Sequence, residues 1–222
     1  MSKFFLFALL WWLVGNPFLA LIVLLVVLYF IDRRFIGLSP SLTAPLRRNR
    51  RLSRLKRELL VSPHNATGKL EAARLYIEKG KYAEALELLE QVSSIYDSAD
   101  VVYEIGLCRL KLGQLEEGER LILQSLESNP KVKYGEPYLR LSEAFAPVKP
   151  DKAIGYLEQF RGMNSSSSEG SYKLGRIYER LGHREEAKRA YSEALLVYRG
   201  LPRYKRRAER RWAFLSKWRQ IF

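Results

Sequence analysis

The chain has 222 residues, 28% charged and 47% hydrophobic, with one cysteine, two histidines and a formal net charge of +14. This composition excludes global disorder and an internal disulfide framework, and leaves room for one repeat domain plus an anchor. The charge is unevenly placed. Residues 32–57 and 199–222 each carry nine Lys/Arg against one acidic side chain, whereas residues 58–198 carry 19 basic and 22 acidic ones.

Residues 4–31 hold no charged side chain. As one helix they would be about 42 Å long, more than the ~30 Å apolar core of a bilayer. Gly15-Asn16-Pro17 interrupts them, and proline kinks a helix by removing an amide donor. The run predicts one tilted or kinked transmembrane helix within a segment 1–36, with Trp11, Trp12 and Tyr29 at the interfaces. It is too long for the apolar core of a cleaved signal, and no small-x-small cleavage site follows it. Arg33, Arg34, Arg47, Arg48, Arg50 and Arg51 stand on its carboxy-terminal side. The bias of basic residues toward the cytoplasm therefore predicts a single-pass protein with its amino terminus outside and the rest inside.

Residues 37–64 form a basic juxtamembrane unit. A short linker with two prolines leads into a helix over residues 46–61, with Leu52, Leu55 and Leu59 on one face. Two readings stand: the helix lies on anionic lipid, or its charges only fix topology.

Residues 65–201 repeat with a period near 34. Lys79-Gly80-Lys81-Tyr82-Ala83-Glu84-Ala85 aligns with Leu112-Gly113-Gln114-Leu115-Glu116-Glu117-Gly118 and with Leu181-Gly182-His183-Arg184-Glu185-Glu186-Ala187. The first two glycines are 33 apart and the next interval is 69, so one degenerate unit lies between, read as lacking about one residue in its turn near Pro147–Pro150. A fixed period of this length means stacked supersecondary units. Small or aromatic residues recur where two helices must approach: Ala73, Tyr76 and Ala85, then Gly106 and Gly118, then Ala153, then Gly175 and Ala187.

These residues resemble the tetratricopeptide repeat (TPR) family over about 135 of the 222 positions. The resemblance implies an all-α solenoid of about four antiparallel helix pairs, the third degenerate, whose first helices line a concave groove for protein segments. In that register the groove positions are Leu70, Arg74 and Ile77 in unit one, Tyr103 and Leu107 in unit two, and Tyr172, Arg176 and Arg180 in unit four. The three arginines are either carboxylate grips or solvated helix residues. The Lys and Asn pattern of TPR domains that clamp carboxyl-terminal peptides is missing.

No phosphate loop, metal-spaced Cys/His set or Ser-His-Asp candidate is present, so the expectation is a non-enzyme with no cofactor and no metal. Cys108 reads as a packing residue.

Residues 202–222 predict a basic aromatic helix. Tyr204, Ala208, Trp212, Leu215, Trp218 and Phe222 share one stripe. Its first half should cap the repeats, while Trp218 and Phe222 reach lipid or a partner; Trp212 and Trp218 count as membrane-surface candidates beside the six arginines. The whole predicts a membrane-tethered scaffold with protein partners, one span on anionic lipid and no specific nucleic acid. The competing classes are an exported chaperone-like TPR protein of opposite topology and nucleic-acid binding by the basic flanks.

Overall fold

The computed structural model describes residues 15–35, 43–164 and 167–221. They form α1 (Pro17–Phe35), α2 (Thr43–Val61), α3 (Ala66–Glu78), α4 (Tyr82–Ser93), α5 (Ala99–Lys111) and α6 (Leu115–Ser128). A 3-10 turn (Val132–Gly135) precedes α7 (Glu136–Phe145), α8 (Pro150–Met163), α9 (Ser168–Arg180), α10 (Arg184–Gly200) and α11 (Arg203–Ile221). From α3 to α10 the helices pair across connections of three or four residues, which leaves antiparallel packing as the short route. Among the described residues the result is the expected helical solenoid of four pairs.

The turn inside a pair is set by glycine. Gly80 has φ +72°, a left-handed value that most side chains resist. It lets the amide of Lys81 reach the carbonyl of Tyr76 at 2.9 Å while its own amide reaches Ile77 at 3.0 Å. This is the Schellman pattern, which satisfies the last carbonyls of a helix. The same two bonds recur at Gly113 and at Gly182. Unit three has no glycine there. Its turn is four residues, closed by Lys149 N–H to Phe145 O at 2.7 Å, and Pro150 then opens α8. The expected one-residue deletion in this turn is therefore wrong. The irregularity lies at the start of the unit, where the 3-10 turn shortens α7 to ten residues.

Paired helices touch through small residues. A methyl group on Gly118 would stand 2.7 Å from the backbone nitrogen of Leu110, so α5 and α6 close to a distance that excludes any larger residue. Ala85 is fully buried beside Ala72, Ala73 and Leu89. The core then continues as one layer between the helices, through Leu141, Phe145 and Leu157 to Leu174 and Ile177.

Both ends of the array differ from expectation. On α2, Leu52 and Leu55 are buried against Ala72, Leu75 and Tyr76, so the leucine face covers the first repeat and is closed to lipid. Arg48 and Arg51 lock that helix onto Glu78 at 2.7 Å and Glu71 at 2.5 Å. On α11 the capping is reversed. Tyr204 is 77% exposed and Ala208 is exposed, whereas Ala213 and Ser216 are buried. Small residues let the second half approach the last repeat, and the predicted stripe weights aromatics over them. Trp212 packs on Tyr172 at 5.3 Å between ring centres, so it faces inward, away from any membrane. Polar pins fix the first half: Arg206 donates to the carbonyls of Leu201 and Arg199, and the Glu209 carboxylate accepts the amide of Ser168 at 2.9 Å, capping α9.

The apolar amino-terminal run is also corrected. Gly15 has φ +68°, Asn16 accepts the amide of Phe18 at 2.9 Å, and Pro17 occupies the first helical position. That is a helix start, not a kink within one rod. From Pro17 to the charged Asp32-Arg33-Arg34 the helix runs only about 22 Å. Among the described residues no helix is long and apolar enough to cross a membrane. The remainder of the expected span, residues 4–14, lies outside the described residues, as does Phe222.

Two substitutions check this packing. Ala85→Arg places a charge in a fully buried helix contact, and thermal unfolding followed by circular dichroism should show loss of the cooperative helical transition. Trp212→Ala should cost about 2 kcal/mol in urea unfolding, because the indole covers the last repeat. Truncation after Leu201 should cost more, and an unchanged transition in the truncated chain would remove α11 as a cap.

Candidate functional site

The first helices of the units, α3, α5, α7 and α9, present one continuous face with two hollows. One, of about 490 Å³, is walled by Arg74, Ile77, Tyr103, Glu104, Leu107 and Arg140. The other, of about 250 Å³, lies between α7 and α9 and is walled by Glu143, Tyr172, Lys173, Arg176, Ile177 and Arg180. Seven of the eight positions expected in the groove thus fall into two clusters. Leu70 sits apart, in a cleft beside Arg51, Glu71 and Arg74.

Most charge in the larger hollow is already neutralised. Arg74 donates from Nε to both oxygens of the Glu104 carboxylate, at 2.9 and 3.2 Å. Glu104 is only 5% exposed, and Lys133 stands 3.5 Å from it and 3.0 Å from Asp100. A buried carboxylate requires such partners. Arg74 is therefore a counter-ion to Glu104 whose own side chain stays exposed to solvent. Arg140 pairs with Glu136 at 2.6 Å and Glu143 at 3.1 Å. Lys173 bridges Glu143 to Glu169, the latter at 2.7 Å. Burial opposes ionisation of Glu143, but Lys173 and Arg140 outweigh it and hold the carboxyl below the usual carboxylate range. On the floor, burial pushes the Tyr103 hydroxyl above the ordinary phenol range, and that hydroxyl has no well-formed hydrogen bond among the described residues.

The smaller hollow is less balanced. Arg176 donates to the Tyr172 hydroxyl at 3.3 Å and lies 3.6 Å from Glu179. Glu179 is in turn shared with Arg219 of α11 at 3.0 Å. Arg180 is exposed and has no ion-pair partner among the described residues. Behind it, Lys173 lies over the Trp212 ring at 5.5 Å, so α11 buttresses the floor of the hollow.

Of the membrane-surface candidates, Arg33 and Arg34 fall at the end of α1, and Arg47 and Arg50 are exposed on α2. Arg48 and Arg51 are held by the acidic partners above, Trp212 by the last repeat, and Trp218 is exposed. Cys108 is fully buried and its thiol is pushed up to about 12 by burial. Among the described residues no cluster of His, Cys, Asp and Glu could hold a metal ion.

Glu104, Lys133, Arg140 and Lys173 were missed from the sequence. Lys133 and Arg140 belong to unit three, for which no groove positions were read, and Lys173 of α9 pairs with Glu143 of that unit. A signal existed: Arg74–Glu104 and Glu143–Lys173 are both 30 residues apart, one repeat less one helical turn. That offset brings opposite charges together on adjacent first helices.

Comparison with known proteins agrees with this architecture. Residues 70–132 and 168–199 match the tetratricopeptide repeat. No curated protein matches the chain. A crystal structure of MamA shares 22% identity at a TM-score of 0.56, covering 66% of this chain and 85% of that one. YrrB, described as a TPR protein with an unusual peptide-binding site, shares 18% at 0.56, covering 82% and 87%. TTC0263, a thermophilic TPR protein in Thermus thermophilus, shares 21% at 0.57, covering 78% and 94%. At these identities the solved structures speak to fold alone. The two family matches, with the glycine-closed turns and the stacked helix pairs, identify tetratricopeptide repeats in this chain.

Proposed function

We propose that the chain is a membrane-tethered adaptor that captures an extended, acidic protein segment along the face of α3, α5, α7 and α9. The observation that carries this reading is the pair of hollows on one face, the smaller bearing Lys173, Arg176 and Arg180 against the single, already paired Glu143. Tyrosine, arginine and aliphatic walls are the usual anchors of protein interfaces. A peptide-binding site is also what the description of YrrB names, on a related fold.

The tether rests on α1. Phe18, Leu19, Ile22, Leu25, Leu28 and Phe30 are exposed around the helix, and a helix apolar on all sides calls for an apolar surrounding. As a tether α1 enters the apolar layer without crossing it alone. The basic residues that follow favour repeats on the cytoplasmic side. Protease added to intact cells should then leave residues 58–222 undigested until the membrane is lysed; digestion before lysis reverses the orientation.

Capture itself is tested by charge reversal. Arg176→Glu with Arg180→Glu should reduce recovery of partners by the intact, membrane-embedded chain at least about tenfold, the effect of losing two charge-assisted contacts. Arg180→Glu alone should leave the melting temperature unchanged, since Arg180 pairs with no acidic side chain among the described residues, whereas Arg176→Glu also gives up its contacts with Tyr172 and Glu179 and should lower it. Undiminished recovery would place binding elsewhere.

A further inference from the structure

We propose that the outward face of α11 docks on anionic phospholipid bilayers. The proposal does not depend on what the groove binds. Arg203, Arg207, Arg211, Phe214, Trp218 and Ile221 follow a 4-4-3-4-3 spacing, which keeps them on one side of the helix within about 80°. All six are exposed, Trp218 by 53% and Ile221 by 67%. The opposite side, with Trp212, Ala213 and Ser216, is committed to the last repeat.

Charge on this face is of one sign. The one acidic residue of α11, Glu209, turns inward to cap α9, and Glu193 of α10 is turned to Arg161. No acidic side chain pairs with Arg203, Arg207 or Arg211 among the described residues. Three arginines at the start of the stripe suit an anionic headgroup layer, and three large apolar side chains at its end suit the acyl boundary below. A nucleic acid would satisfy the arginines, but it offers nothing to the aliphatic Ile221. The bilayer accounts for both halves of the stripe. The helix is about 28 Å long and presents its side, so it lies in the interface plane and does not enter end-on.

The test uses the full chain with Tyr204→Cys, labelled with an environment-sensitive fluorophore; Cys108 is buried and stays unlabelled. Vesicles of neutral phosphatidylcholine and of phosphatidylcholine with phosphatidylglycerol provide the same apolar layer for the amino-terminal run, and differ only in charge. The label should shift to the blue and be quenched by spin-labelled headgroups in anionic vesicles alone, and the response should fade at high salt. Adding Arg203→Glu and Arg207→Glu should weaken the response about thirtyfold with an unchanged circular dichroism melt; Arg211 is kept because it lies over the Trp212 ring at 5.2 Å. Phe214→Ser with Trp218→Ser should reduce it without abolishing the salt dependence. The proposal falls if the label responds equally to neutral vesicles or to neither. It also falls if the label responds to a single-stranded RNA oligonucleotide in place of vesicles, or to protein concentration alone.

Discussion

No helix pair in this fold can cover its own apolar face, and everything else follows from that constraint. The chain solves it locally by closing each pair on a left-handed glycine and bringing the two helices together over Ala73 and Ala85 or over Gly106 and Gly118. The pair so formed passes an uncovered face to the next, and the face is finally covered only at the ends. At the front α2 contributes Leu52 and Leu55; at the back α11 contributes Trp212, Ala213 and Ser216. Both end helices are strongly basic, and both are fixed by charge to an acidic repeat block: Arg48 and Arg51 at one end, Arg219 at the other. The uneven charge of the sequence is thus partly a fastening device.

The same need for fixed stacking shapes the binding face. Neighbouring first helices are stitched by Arg74–Glu104 and Arg140–Glu143–Lys173, and Arg176–Glu179 adds a pair along α9. Most of the charge that lines the groove therefore holds adjacent units in register. These pairs are only partly buried and add little net stability each, but as a chain of contacts between adjacent first helices they favour a fixed arrangement. What is left for a partner is uneven. The α3–α5–α7 hollow is nearly neutral with an apolar floor, and the α7–α9 hollow keeps Arg180 open.

The repeats and their turns were legible because they depend on residue types at fixed spacing. Gly80, Gly113 and Gly182 mark turns that only glycine closes easily, and a first-helix register then places Tyr103, Leu107, Tyr172 and Arg176. Three things were not legible. Unit three has no turn glycine and no groove positions were read for it, so Lys133 and Arg140 were not counted. On α11 the eye follows large side chains, whereas the contact is made by Ala213 and Ser216, whose virtue is that they are small. For α2, an amphipathic basic helix is equally suited to lipid and to a protein core, and the choice depends on Ala72, Leu75 and Tyr76, which sequence spacing does not bring near.

The start of unit three has a further consequence. Lys133 and Tyr134 have φ of 45° and 49°, values that L-residues other than Asn and Asp adopt at a cost of about 1–2 kcal/mol each. Asn164 holds the segment by donating to the Tyr134 carbonyl at 2.7 Å, and Lys133 is thereby brought beside Glu104. A solenoid of equal units has screw symmetry: one rotation and translation carries each binding position onto the next. This left-handed step breaks that operation between α6 and α7. Positions before and after it are no longer equivalent under the repeat. For the capture proposed above, that favours a segment whose two ends differ.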